Sequence, residues 1–191
     1  MQASWLEPKE KEELFKLLMQ YRLIRTSDRK DIPLASGMET DLYIDVRAAR
    51  GFPEALEWIA YYFIKPLSQL RPKRFGEIPD SMSCFAPLIS IQTKIPYITF
   101  RKAKEFRVSQ SDIIGPFNEG DSICIIDDVI KDGRSKIEPY HRCIRRGLQP
   151  LGLVVLVDRQ EGWQENFEKE GIDLPVRAAM TLDEVRHFLR K

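Results

Sequence analysis

Residues 122–138, SICIIDDVIKDGRSKIE, carry the densest chemistry in the chain. An apolar run, Ile123 to Ile126, ends in two acids, Asp127 and Asp128. A short polar loop follows, Lys131, Asp132, Gly133, Arg134 and Ser135, and helical periodicity starts there. Carboxylates accept from sugar hydroxyls, and amides at a turn entering a helix hold a phosphate. Together they suit a phosphorylated sugar. An isolated Asp-Asp pair is more often a solvated turn. The apolar strand before it and the glycine loop after it favour a site. Neighbouring strand residues point to opposite faces, so both acids are expected just past a strand that ends at Ile126.

Two further clusters have matching chemistry. Arg159 follows the apolar run 153–157, in the sequence LVDRQEG. Its planar fork of donors suits a carboxylate or a carbonyl pair. The alternative is a surface arginine paired with Asp158 or Glu161. Arg101, Lys102 and Lys104 follow the short run 97–100. They can neutralise a bound anion or form a solvated basic loop.

The elements that must position these groups follow from periodicity and punctuation. Helices are expected over 7–21, 52–67, 83–94, 135–147, 163–170 and 182–189, and strands over 42–46, 74–78, 97–100, 122–126, 153–157 and 176–178. Pro66 is expected to end the second helix, and Pro87 is allowed only in the first turn of the third. Ser135 and Glu138 have the spacing of a capping box, and Gly147 stands at the far end of that helix. Residues 102–119 mix charge with Ser, Asn and Gly and read as a long loop. The second half alternates strand and helix, which demands a mostly parallel sheet covered on both faces. Ligands of such sheets bind beyond the carboxyl ends of the strands, where all three clusters would lie.

The 191 residues are enough for one domain with its own core. The formal net charge of +1 gives no global field toward nucleic acid or an anionic membrane. The apolar runs are too short to span a bilayer, and the acidic, amphipathic N-terminus does not read as a signal peptide. Cys84, Cys124 and Cys143 lie far apart without CxxC spacing, so reduced thiols in a cytoplasmic protein are expected. His141 and His187 sit alone on helices and are poor catalyst candidates.

The stretch from Ile123 to Ser135 resembles the type I phosphoribosyltransferases: apolar strand, Asp127-Asp128-Val129-Ile130, then a loop with Gly133 and Ser135. Three more segments resemble the orotate phosphoribosyltransferases. They are Ser36-Gly37 with Tyr43-Ile44-Asp45-Val46-Arg47, the Arg101-Lys102 and Lys104 element with Gly115 beyond it, and Asp158-Arg159-Gln160-Glu161-Gly162. The last is the most specific, and the resemblance runs from about Leu34 to the C-terminus. It implies a type I phosphoribosyltransferase fold: a mostly parallel sheet flanked by helices in a 51–191 core, with a small N-terminal hood in 1–50. It implies transfer from phosphoribosyl pyrophosphate to orotate through an oxocarbenium-like transition state, with Mg2+ bound mainly through the donor, in a homodimer. Asp127 and Asp128 would hold the ribose, Lys131, Asp132, Gly133, Arg134 and Ser135 the 5′-phosphate, and Arg159 orotate. Arg101, Lys102 and Lys104 would hold pyrophosphate, with Lys104 on a mobile catalytic loop.

Several positions depart from that pattern. Lys131 and Asp132 replace small or hydroxyl residues, Ala35 replaces a lysine, and Glu77 and Met82 replace glycines. Glu105 and Arg107 stand where the family has its loop lysine and histidine. An Asp about 5 Å from a phosphate costs roughly 3 kcal/mol at an effective dielectric of 20. Lys131 and Arg134 can offset that charge, or Asp132 can turn away to cap backbone amides. The departures motivate an alternative: a divergent relative that binds a nucleotide or phosphoribosyl ligand in a regulatory role.

Overall fold

The computed structural model describes residues 4–29, 31–33, 39–101 and 112–190. The chain opens with α1 (Pro8–Gln20), followed by two short antiparallel pairs. In one, β1 (Ile24–Thr26) pairs with β4 (Leu42–Ile44); in the other, β2 (Ile32–Pro33) pairs with β3 (Glu39–Thr40). A 3-10 turn (Val46–Gly51) leads into α2 (Pro53–Leu70). The remainder runs β5 (Arg74–Glu77), α3 (Ala86–Thr93), β6 (Tyr97–Phe100), β7 (Ile113–Ile114), β8 (Ser122–Ile130), α4 (Arg134–Arg145), β9 (Gln149–Asp158), α5 (Trp163–Lys169), β10 (Val176–Thr181) and α6 (Leu182–Leu189).

Strands β5 to β10 form one sheet in the order β10-β9-β8-β5-β6-β7. All neighbours are parallel except β7, which runs antiparallel along the edge of β6. The pleat of β8 shows why its stretch from Ile123 to Ile126 is apolar without a break. Cys124 and Ile126 pack on one face with Ile59, Phe63 and Leu67 of α2, while Ile123 and Ile125 pack on the other with Cys143 of α4 and Phe167 of α5. A parallel strand buried on both faces needs a continuous apolar run rather than an alternating one.

Four expectations are corrected. Helix α2 does not stop at Pro66 but continues to Leu70. A proline leaves the carbonyl four residues back without its helical donor. That carbonyl belongs to Tyr62, and the indole Nε1 of Trp5 donates to it at 3.0 Å. Strand β8 does not stop at Ile126 but runs through both acids to Ile130. The Ser135–Glu138 capping box does not form: Gly133 is the N-cap of α4, and Glu138 pairs with Arg142 and Arg145 instead. The box occurs at α6, where Thr181 accepts from Glu184 N and the Glu184 side chain accepts from Thr181 N. The 102–119 loop contains the edge strand β7, and its residues 102–111 lie outside the described part.

All three cysteines are free. Cys124 and Cys143 are fully buried, and burial pushes both thiols up to about 12. Burial also raises half-buried Cys84. The thiolate is the reactive form. A thiol-disulfide reagent at pH 8 is therefore expected to modify at most Cys84, and slowly, in the folded protein, and all three after denaturation. Rapid modification of two native thiols would contradict this packing. Among the described residues, no helix is long and apolar enough to cross a membrane.

Candidate active site

A cleft of about 440 Å³ opens at the carboxyl ends of β5, β8 and β9. The sheet brings Asp127, Asp128, Lys131, Asp132, Ser135 and Arg159 to its lining. Gly133, Arg134 and Arg101 do not line it. Lys102 and Lys104 lie outside the described residues, as do Ala35, Ser36, Gly37, Glu105 and Arg107.

The two acids differ sharply in surroundings. Asp127 is 3% exposed, and its carboxylate is largely occupied. Its Oδ1 accepts from Ser81 Oγ at 2.6 Å and from the Asp128 amide at 2.8 Å. Its Oδ2 accepts from Lys136 Nζ. Lys136 is itself buried and also donates to Ser135 Oγ at 2.9 Å. Asp128 is half-buried; it accepts from Val129 N at 2.8 Å, and its carboxyl also hydrogen-bonds with that of Asp127. Burial, reinforced by the neighbouring Asp127 charge and opposed by Lys136, pushes the Asp128 carboxyl up to about 7.

The loop after β8 turns on Gly133, whose φ of +76° is left-handed. A Cβ there would stand 2.9 Å from Phe167 Cε1 and 3.0 Å from Trp163 Cβ, so α5 packs directly on the turn. Asn166 Nδ2 on the same helix donates to the Asp132 carbonyl at 2.8 Å. Asp132 takes the capping alternative: its Oδ1 accepts from Arg134 N at 3.2 Å, and its Oδ2 lies 3.4 Å from Arg134 Nε. Lys131 is exposed on the cleft wall.

Arg159 leaves the end of β9, where its amide donates to the Ile130 carbonyl at 2.9 Å. Its side chain is buried at 8% exposed, and Nε donates to Glu161 Oε1 at 2.7 Å. Asp158 does not pair with it. That carboxylate accepts from Gln160 N at 2.7 Å and from Trp163 Nε1 at 3.1 Å, which fixes the turn into α5. The opposite wall is built by Tyr43 and Arg47, with Arg47 donating to Tyr43 Oη at 2.8 Å and to Asp45 Oδ1 at 2.9 Å. The loop after β5 adds Asp80 and Ser81, and the Pro79–Asp80 peptide is cis.

Glu77 does not project into this cleft. It is 2% exposed at the end of β5 and accepts from Thr99 Oγ1 at 2.7 Å and from Ser83 Oγ. Burial raises its carboxyl above the usual range. Met82 is fully buried.

No family model matches the chain. The curated orotate phosphoribosyltransferase of Pyrococcus abyssi is 32% identical over 167 residues, covering 86% of this chain and 90% of that protein. The chain belongs to the orotate phosphoribosyltransferase family. Among solved structures, it resembles UMP synthase of Leishmania donovani at 28% identity and a TM-score of 0.79, over 94% of this chain and 38% of that one. It shares the fold of orotate phosphoribosyltransferase from Aeropyrum pernix, at 22% identity and a TM-score of 0.76, over 93% and 98% of the two chains.

Within this orotate phosphoribosyltransferase fold, Lys136, Ser81, Asp80, Tyr43 and Arg47 also line the cleft, beyond the candidate site residues of the sequence. Tyr43 and Arg47 lie in the 36–47 segment, whose only signal in the sequence is its family resemblance. Ser81 and Asp80 reach the cleft through an irregular loop that no periodicity marks. Lys136 sits in an otherwise polar turn, where a lysine ordinarily reads as solvated.

Proposed function

We propose that the chain transfers the ribose 5-phosphate of phosphoribosyl pyrophosphate to orotate, giving orotidine 5′-phosphate and pyrophosphate. The observation that carries this reading is the convergence of the acid pair, the 131–135 loop and Arg159 on one cleft. Asp128 offers carboxylate oxygens to the ribose hydroxyls, and Asp127 braces it. Ser135 and Lys131, with Gly133 and Arg134 shaping the turn, receive the 5′-phosphate; in the free protein Asp132 is engaged with the Arg134 amide. Arg159 holds the orotate carboxylate, so the base faces C1 of the ribosyl donor. Arg101, Lys102 and Lys104 are assigned to pyrophosphate, with Lys104 offsetting the charge that develops on the leaving group.

Mg2+ would arrive on the donor, whose phosphates supply most of its oxygen ligands. Among the described residues no cluster of three His, Cys, Asp or Glu is placed to hold a metal by itself. The carboxylates of Asp80 and Asp128 are the hard oxygen groups on the cleft that would face it. When bound, the ion would neutralise pyrophosphate charge. The protein is proposed to act as a cytoplasmic homodimer, without nucleic acid or membrane partners. The reduced thiols suit a reducing compartment, and the dimer rests on family likeness.

Orotate depletion followed by absorbance, with phosphoribosyl pyrophosphate and Mg2+, tests the activity. Donor binding by calorimetry without turnover would instead favour the regulatory reading, whose motive is the Asp132 carboxylate standing on the Arg134 amide.

The acid pair also sets a pH dependence. The ionised Asp128 is the form that accepts hydroxyls, and half of it is neutral near pH 7. Donor affinity is thus expected to fall as pH drops through 7, approaching tenfold per unit well below it. Asp128→Asn should weaken binding and flatten the profile. A wild-type affinity constant from pH 5.5 to 8.5 would exclude this role.

A further inference from the structure

Helix α4 grips one end of the β6–β7 strand pair. Beyond the partners Phe100 and Ile113, the pair is extended by one more bond, from Arg101 N to the Asp112 carbonyl at 3.0 Å. Arg142, in the third turn of α4, reaches this point. Its Nη1 donates to the Arg101 carbonyl and, at 3.1 Å, to the Asp112 carbonyl. Its Nε donates to Glu138 Oε1 at 3.0 Å and stands 3.9 Å from Asp112 Oδ2. Arg146 donates from Nε and Nη2 to Asp112 Oδ1, at 3.0 and 2.6 Å.

An ordinary helix-surface pair with Glu138 does not account for this placement. Such pairs contribute little, and Glu138 is 54% exposed and shared with Arg145. The Arg142 side chain is only 6% exposed. Burying a guanidinium costs free energy unless its donors are bonded, and here they go to the main-chain carbonyls of two strand ends. One nitrogen serves both carbonyls, which fixes the ends relative to each other. The Arg101 carbonyl belongs to the planar peptide that joins it to Lys102, so holding it sets the direction in which the chain leaves β6.

Arg101 begins the basic group assigned to pyrophosphate, and it does not itself line the cleft. The origin of that group is therefore set by the strand end that carries it. The same helix starts at the phosphate loop: Gly133 is its N-cap, and Ser135 lies roughly 10 Å along the axis from Arg142. We propose that Arg142 is a positioning residue for the transfer, fixing the start of the pyrophosphate-binding group to the helix that presents the phosphate loop. It does not line the cleft and acts through the Arg101 and Asp112 carbonyls. The positioning role rests on the donor reading of the site; the hold on the strand ends does not.

Two readouts separate these parts. The first is amide hydrogen exchange followed by NMR in the free protein. Arg142→Met should speed exchange of the Arg101 amide by about tenfold more than it speeds exchange in the central β8–β9 pair. The second is function. In Arg142→Met, kcat should fall about tenfold or more with KM for orotate within about threefold, because the lost interaction is with charge that develops in the transition state. By calorimetry, pyrophosphate with Mg2+ should bind about fivefold more weakly, and ribose 5-phosphate within about twofold of wild type. Glu138→Gln, which leaves Nη1 on both carbonyls, should stay within about twofold of wild type in every readout. Should a buried methionine prevent folding, Arg142→Lys keeps the charge and stem but not the planar fork, and should show the same split at about threefold.

An Arg101 amide that exchanges at the wild-type rate in the Arg142 variants would overturn the hold. Faster exchange with unchanged kcat and pyrophosphate affinity would overturn the positioning role. Equal losses for pyrophosphate and ribose 5-phosphate would do the same, since a merely structural contact weakens both ends of the donor alike. A Glu138→Gln variant that reproduced Arg142→Met would assign the effect to the helix-surface pair and overturn the proposal. If the wild-type protein turned over no orotate, the functional reading would fall and the positioning role with it, while exchange at Arg101 would still decide the hold.

Discussion

Arg159→Ala is expected to lower kcat/KM for orotate by about 30-fold to 3,000-fold and to leave donor affinity within about threefold. Truncating one partner of a buried, hydrogen-bonded charge pair costs about 2–5 kcal/mol, and each 1.4 kcal/mol is tenfold. The environment of Arg159 meets those conditions. Its backbone is tied to Ile130, its side chain is buried, and Glu161 holds Nε. Among the described residues, neither Nη of Arg159 hydrogen-bonds to protein, so the guanidinium, which lines the cleft, has a two-donor edge left for a ligand. On the proposed assignment the donor would not need that fork, because its phosphate and ribose would be received by β8 and the loop after it. Arg159→Lys should recover little, since an ammonium on a flexible stem does not reproduce the planar pair of donors. Steady-state kinetics with each substrate varied in turn, together with donor calorimetry, measures the split. Equal losses for both substrates would remove Arg159 from the orotate role.

Gly133→Ala is expected to destabilise the protein by about 2–5 kcal/mol. An L-residue at left-handed φ costs roughly 1–2 kcal/mol, and forcing a methyl into a packed contact adds about 1–3 kcal/mol. Both costs apply, because φ is +76° and the new Cβ meets Phe167 and Trp163 at 2.9 and 3.0 Å. For a chain of this size the midpoint of thermal unfolding should fall on the order of 10 °C. The effect also reaches function. Relief of the clash displaces α5 or the loop, and Trp163 holds Asp158 while Asn166 holds the Asp132 carbonyl. Donor and orotate affinities should therefore weaken together, unlike the selective loss at Arg159. A melting midpoint within 2 °C of wild type would show that the turn and α5 are not locked as described.

The contrast between these two sites shows what the residue pattern reveals and what it conceals. The apolar runs 123–126 of β8 and 153–157 of β9 are legible because burial on both faces leaves no polar position within them. Their ends are not: a strand-final aspartate reads as loop, yet Asp127 continues β8 because Ser81 and Lys136 satisfy it in the interior. Arg159 is legible from its motif, but the choice of Glu161 over Asp158 as partner depends on Trp163 taking Asp158 first. Pro66 looks like a helix stop until a tryptophan 61 positions earlier supplies the missing donor. In each case a side-chain partner from outside the local pattern, between five and 57 residues away, changes the meaning of a local rule.

The carboxylate of Asp132 on the Arg134 amide has a kinetic consequence. It is an anion tethered two residues from the group it binds, so its local concentration is fixed by the chain and not by solution. A phosphate arriving at this turn would exchange with a resident rather than fill an empty place. On departure, the resident would recapture the amide without waiting for diffusion. Such exchange trades affinity for turnover: residence of the phosphate end would be short, and its release would be assisted from within the loop that received it.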